Sequence, residues 1–378
     1  MRLLTGMYHE LKGNLKRELC HLRVRPLCSI AFLTYRCTNC CKTCNIWQQG
    51  SDGSDELDRD GWLRVVGNMS RLGVRTMEIF GGDALLRKDA IFDVIRSCRE
   101  HGMETYFPTN ANLCDQETVT RLMDSCLDML YVSVDDIGEA HDQVRGVQGN
   151  FAKVENALES FFRLRGDRET PRLGIVCTLS RLNFRSFPRL VEFMEQYPVS
   201  VVYPRYLAEF SPKGIAASSV EGLLPEPFYL STDGGSHLIR SDELAEFKEM
   251  VAAMKRRRHK VYVDWTTYYS STDATYLKGE YPQASCRVAT TLMTVCPNGD
   301  VSPCPMYRNY VLGNLARENP EAIWGNDKHR RFVQAQQSGQ LPVCLNCNIK
   351  TYHNSSIPGK LKYYGIRAAE KSGFYKWS

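Results

Sequence analysis

Between residues 28 and 265 two kinds of apolar pattern take turns along the chain. Short stretches dense in β-branched and aromatic residues alternate with longer ones in which apolar positions recur every three or four residues. These are the periods of buried strands and of one-faced helices. The pattern predicts strands over 28–35 (CSIAFLTY), 75–80, 103–108, 127–135, 172–179 and 199–207. Helices are predicted between them over 57–73, 88–101, 115–125, 151–164 and 184–197. Alternation at this spacing implies parallel strands joined by crossover helices. Six such units fall short of a closed eight-fold ring. The expected fold is therefore α/β, a partial (β/α)6 TIM-like barrel with its site at the carboxyl ends of the strands.

The remainder divides by composition. Residues 1–27 read as a basic, amphipathic N-terminal helical extension to a barrel domain over 28–265. Within that domain residues 210–240, with Pro212, Gly214, Pro225, Pro227, Gly234 and Gly235, read as a substrate-facing loop insertion. A basic helix over 241–258 and a strand over 261–265 follow. From about Ala284 cysteine, proline and turn residues take over, so residues 280–350 are expected to form a small cysteine-rich domain organised by metal. Residues 351–378 form a basic-aromatic tail, with Lys360, Lys362, Arg367, Lys371 and Lys376 opposed only by Glu370.

The chain is 43% hydrophobic with a net charge of +5, which suits a sizeable core and carries no nucleic-acid signature. Its fifteen cysteines are the anomaly. The first residues lack the apolar run of a signal peptide, and no stretch of about 18 apolar residues occurs. A cytoplasmic chain is expected, in which clustered cysteines bind metal rather than pair as disulfides.

Cys37, Cys41 and Cys44 stand as C-x3-C-x2-C on the loop after the first strand. Three thiolates can hold three irons of a [4Fe–4S] cube and leave the fourth iron open. A zinc knuckle would need a fourth ligand nearby, for which Cys40 is the candidate. A second set, Cys286, Cys304, Cys344 and Cys347, could fully ligate one [4Fe–4S] cluster or one structural zinc, with Cys296 as a reserve ligand. The text CPNGDVSPC (296–304) reads as a hairpin on an Asn-Gly turn. Cys20, Cys28, Cys98, Cys114 and Cys126 have no metal spacing and read as small buried hydrophobes.

The segment TYRCTNCCKTCNIW (34–47) resembles the radical S-adenosylmethionine (SAM) superfamily. The resemblance implies that SAM binds the open iron through its amino and carboxylate groups. Its reductive cleavage would then yield a 5′-deoxyadenosyl radical that takes a hydrogen atom from a substrate. By the family's spacing Cys40 is not a ligand. Gly81-Gly82-Asp83-Ala84 occupies the place of the family's Gly-Gly-Glu-Pro, so Gly81, Gly82 and Asp83 would grip the SAM amino group, with Asp in place of Glu and Ala in place of Pro. YVSVDDIGEAHDQVRG (131–146) resembles the family's fourth-strand end. It puts Ser133 and Asp135 at the ribose or carboxylate and Arg145 at the carboxylate. The C-terminal set resembles the SPASM auxiliary-cluster domain in its shortened twitch form, since no cysteine follows Cys347.

Two [4Fe–4S] clusters and SAM are thus the expected cofactors, with a reducing protein such as flavodoxin or ferredoxin as partner. A fully ligated auxiliary cluster favours a net oxidation, and the first expectation is dehydrogenation of an alcohol or sugar-like small molecule. Cys177 is the candidate hydrogen-atom donor. Glu209, Asp264 and Tyr203 are candidate proton acceptors, and Arg205 a substrate anchor. The alternatives are crosslinking or epimerisation of a ribosomally made peptide, or radical chemistry on a lipid-linked substrate with peripheral membrane contact through the tail. A zinc-stabilised scaffold without catalysis is the non-enzyme alternative.

Overall fold

The computed structural model describes residues 25–49, 52–281 and 286–352, with Gly365 beyond them. Most of the expected N-terminal extension and of the basic-aromatic tail lies outside the described residues. The first six strands are β1 (Cys28–Phe32), β2 (Thr76–Phe80), β3 (Glu104–Thr109), β4 (Met129–Ser133), β5 (Arg172–Leu179) and β6 (Val201–Tyr206). All are parallel and lie in sequence order, and the sheet does not close on itself. This is the partial barrel that the alternation implied.

The crossover helices α1 (Arg59–Leu72), α2 (Ile91–Glu100), α3 (Gln116–Asp124), α4 (Glu139–Arg145), α5 (Asn150–Arg165) and α6 (Phe187–Met194) follow from local signals. Asp58 accepts from the Gly61 amide at 2.8 Å and Asp115 from the Thr118 amide at 2.7 Å, each capping a helix start. Gly73 ends α1 in the left-handed region at φ 91°, where a side chain would be strained. The apolar stripes of the helices pack on the outer sheet face, where Met77, Ile79, Phe107, Leu173 and Ile175 are fully buried. Helix α4 is an addition to the expected elements. It falls in the segment 131–146, where the sequence pattern predicts only a strand end.

One expectation needs correction. The segment 261–265 forms a single parallel bridge, Val202 to Val263, at the β6 edge and not a full strand. Residues 210–240 hold a short helix, α7 (Pro212–Ala216), and pack over the cysteine loop: Asn45 donates to the Phe228 carbonyl, and Thr232 to those of Lys42 and Cys41.

The cysteine-rich segment does not build a sheet of its own. Strand β7 (Leu292–Val295) pairs parallel to β1, and β8 (Asp300–Ser302) and β9 (Gly313–Asn314) continue antiparallel, giving the order β6-β5-β4-β3-β2-β1-β7-β8-β9. The run Leu-Met-Thr-Val is buried at every position, as a strand covered on both faces requires. The β7–β8 turn carries Gly299 at φ 88°, in keeping with the Asn-Gly hairpin.

Candidate functional site

Period-two alternation sends Glu78 and Phe80 of β2, Tyr106 and Pro108 of β3, Tyr131 and Ser133 of β4, and Tyr203 and Arg205 of β6 to the inner face of the sheet. There they line a cavity of about 990 Å³. Cys37, Cys41 and Cys44 border the same cavity, together with Gly81, Gly82, Asp135 and Arg145. Cys40 is exposed and does not border it. Burial pushes the Cys37 and Cys44 thiols up to about 12. Such thiols stay protonated near neutral pH unless a metal takes the proton's place.

Backbone contacts hold the cysteine loop from two sides. The Gly82 amide donates to the Thr34 carbonyl at 3.0 Å and the Asp83 amide to the Arg36 carbonyl at 2.8 Å. On the other side the Cys40 amide donates to the Arg145 carbonyl at 3.1 Å, and Lys42 to that of Val144 at 3.0 Å. A Cβ on Gly81 would stand 2.3 Å from the Thr34 oxygen, and one on Gly82 2.2 Å from the Arg36 oxygen. The glycines therefore admit the cysteine loop, and both also border the cavity.

Asp83 also braces this loop. It is buried and caps the turn that follows, accepting from the Leu85 amide at 3.1 Å and from the Thr38 hydroxyl at 2.5 Å. It does not line the cavity. Beneath it lies a buried amide network that the sequence did not reveal. Asn150 donates to the Asn110 carbonyl and to Asn112, and Asn112 donates to the Thr38 carbonyl at 3.2 Å. His141 accepts from the Asp135 amide through Nδ1 and meets Asn150 through Nε2 at 2.9 Å. Burial holds this imidazole neutral, down at about 4.

Arg145 and Asp135 form an ion pair at 2.9 Å, with Arg145 Nη1 4.0 Å from the Cys41 sulfur. The other Asp135 oxygen accepts from the Thr178 amide at 2.8 Å. Ser133, Asp135 and Arg145 thus come together beside the three cysteines.

Of the four catalytic candidates only Tyr203 lines the cavity, edge-on to Tyr131 at 5.6 Å with Arg205 over its ring. Cys177 is fully buried on the opposite face of β5, where its thiol reaches the Asp135 carbonyl at 3.7 Å; strand parity excludes it as a hydrogen-atom donor. Glu209 ties down the 210–240 segment, accepting from Ser236 Oγ and the His237 amide. Asp264 is buried outside the cavity and accepts from the Thr266 amide at 2.9 Å. The residue that sequence reasoning missed is Glu78. It faces the cavity with no hydrogen-bond or ion-pair partner among the described residues. Burial lifts its carboxyl to about 7, against the pull of Arg205. One acid at an inward position of the apolar strand TMEIF was the available signal.

The second cysteine set is gathered by separate elements. Cys286, Cys304, Cys344 and Cys347 line one pocket walled by Val288, Met306, Tyr307, Phe332, Val343 and Ile349. Cys296 lies apart, its thiol against the Arg308 carbonyl at 3.9 Å. Among the described residues no three His, Cys, Asp or Glu groups converge closely enough for a single ion. Four thiols around one apolar pocket are the full ligand set of a [4Fe–4S] cluster.

Comparison with known proteins agrees with this arrangement. Residues 32–194 match the radical SAM superfamily, and residues 286–348 match the SPASM iron–sulfur cluster-binding domain. Fe-coproporphyrin III synthase of Methanosarcina barkeri is 26% identical over 164 residues, 43% of this chain and 40% of that protein. PqqA peptide cyclase of Granulibacter bethesdensis is 28% identical over 172 residues, 44% of this chain and 43% of that protein. The chain therefore aligns with less than half the length of either relative. Streptococcus suis SuiB, solved with S-adenosylmethionine bound, shares the fold with a TM-score of 0.61 at 17% identity, over 91% of this chain and 78% of that one. With both matches in chain order along one continuous sheet, the chain belongs to the radical SAM superfamily, carries a C-terminal SPASM domain, and has SAM and two [4Fe–4S] clusters as its cofactors.

Proposed function

We propose that this radical SAM enzyme modifies a peptide, crosslinking or epimerising a residue whose side chain enters the barrel. The first expectation, oxidation of a free alcohol or sugar-like molecule, gives way to this reading. The observation that carries it is the likeness to PqqA peptide cyclase. The cavity adds support: about 990 Å³ stands at the upper end of small-molecule sites, which leaves room beside a bound cofactor for an amino-acid side chain. Tyr106, Tyr131, Tyr203 and Tyr262 supply aromatic wall for such a side chain.

In this reading Cys37, Cys41 and Cys44 hold the first cluster, and Cys286, Cys304, Cys344 and Cys347 the second. Ser133, Asp135 and Arg145 orient SAM, which when bound supplies hydrogen-atom abstraction from an unactivated C–H bond. Glu78, raised toward neutrality and facing the cavity, is the group able to exchange a proton with a substrate N–H or O–H. It displaces Glu209 and Asp264 from that role. A flavodoxin or ferredoxin remains the expected electron donor. No helix among the described residues is long and apolar enough to cross a membrane.

The test is anaerobic incubation of the reconstituted enzyme with SAM, dithionite and deuterated peptides, including short peptides encoded beside its gene. Deuterium in 5′-deoxyadenosine, with loss of two hydrogens from the peptide or inversion at one residue, is expected. Deuterium transfer from sugar alcohols alone, with every peptide recovered unchanged, would overturn the reading.

A further inference from the structure

A positive charge is built into the wall of the second cysteine pocket. Lys350 follows Cys347 by three residues and is only 4% exposed. It borders the same pocket as Cys286, Cys304, Cys344 and Cys347. Its Nζ donates to the Cys344 carbonyl at 2.8 Å, which fixes where the charge sits. Burial pulls the affinity of this amine for its proton below the ordinary lysine range, and the charges of the Cys347, Cys286 and Cys344 sulfurs oppose that pull.

A four-thiolate cluster carries one more negative charge reduced than oxidised. A fixed cation in the low-dielectric shell beside it therefore stabilises the reduced form more, and protein charge is one of the levers on such potentials. The apolar walls, Val288, Met306, Phe332, Val343 and Ile349, limit screening by water.

We propose that Lys350 is a redox-tuning residue, whose buried ammonium raises the reduction potential of the auxiliary cluster and makes that cluster a better one-electron acceptor. The inference rests on the ligand set assigned above. Lysine does this without ligating iron, because its protonated nitrogen has no lone pair to offer.

The experiment is an EPR-monitored redox titration of the anaerobically reconstituted full chain, comparing the native protein with Cys344→Ala, Lys350→Met, Lys350→Gln and Lys350→Arg. Two reductive transitions are expected in the native protein, one of which Cys344→Ala removes. Lys350→Met and Lys350→Gln should move that same transition to lower potential by about tenfold in the reduction equilibrium, or about 59 mV for one electron, and leave the other in place. Lys350→Arg should titrate near the native protein. Unchanged midpoints in both neutral variants, with the auxiliary cluster still present, would overturn the proposal. So would loss of the cluster from both neutral variants but not from Lys350→Arg, which would make the charge a requirement of assembly. Retention of both transitions in Cys344→Ala would instead strike the ligand assignment.

Discussion

Gly146 and Cys40 meet backbone to backbone: a Cβ on Gly146 would stand 2.2 Å from the Cys40 carbonyl oxygen and 2.8 Å from its carbon. Gly146 also ends α4 at φ 68°, in the left-handed region. Neither the approach nor the conformation tolerates a side chain. Gly146→Ala should therefore cost about 1–3 kcal/mol in backbone strain alone and push the cysteine loop off α4. The expected result is loss of about half the bound iron after reconstitution, with the C-terminal cluster's EPR signal intact, and at least a tenfold drop in substrate-free SAM cleavage, about 1.4 kcal/mol in barrier. Full iron content and native cleavage would show that the loop does not need this contact.

Asp83 makes the matching contact on the other side of the loop. Its carboxylate is shared between the Thr38 hydroxyl and the Leu85 amide. Asp83→Ala leaves the buried Leu85 amide and the half-buried Thr38 hydroxyl without this acceptor and should cost about 1–3 kcal/mol in urea unfolding. Asp83→Asn keeps an accepting oxygen and should cost less. If Asp83 only braces the loop, Asp83→Asn should bind SAM within about twofold of the native protein. Direct contact with the SAM ammonium would make the loss about tenfold or more. Equilibrium dialysis with labelled SAM separates the two.

How much of this was legible depended on whether period or parity carried the information. The strand over 172–179 and the helices around 59–72 and 150–165 were plain in the apolar spacing, because each buries one face against a continuous sheet. The cysteine sets were plain because their spacing is local. What escaped was set by strand parity and long-range packing. Cys177 and Thr178 are neighbours in sequence on opposite faces of β5, and only register tells which one meets the cavity. Glu209 and Asp264 looked catalytic by position, yet Glu209 is engaged by Ser236 and His237, nearly thirty residues on, and Asp264 by the amide of its own neighbour Thr266. The Asn39, Asn110, Asn112, Asn150 and His141 network joins four parts of the chain, so no single window could reveal it. The pairing of β7 with β1 likewise joins residues more than 260 positions apart.

The two cysteine sets should fail differently. Cys41 borders the cavity beside Arg145, whereas Cys347 lines a separate apolar pocket. Cys41→Ala is expected to abolish SAM cleavage. Cys347→Ala should spare substrate-free cleavage and block product formation once a substrate is in hand. Chromatographic assay of 5′-deoxyadenosine checks the first two statements without any substrate. Equal loss of cleavage in both variants would mean that the second cluster is needed for the first to work.

Glu78 provides a test through pH. Burial raises its carboxyl from 4.5 in the unfolded chain to about 7 in the fold. Between those values the folded state holds a proton that the unfolded state has released, so stability falls as pH rises through that window. Below pH 4.5 the cost is absent, and above about 7 it is complete, at roughly 3 kcal/mol. Glu78→Gln keeps the shape and removes the charge. The variant should be stabilised far more at pH 8 than at pH 5 in anaerobic urea unfolding of the reconstituted protein. A difference of the same size at both pH values would show that Glu78 does not titrate inside the cavity. It would also remove the physical ground for Glu78 as the proton-exchanging group, since a carboxyl that stays ionised at pH 5 holds no proton to trade near neutrality.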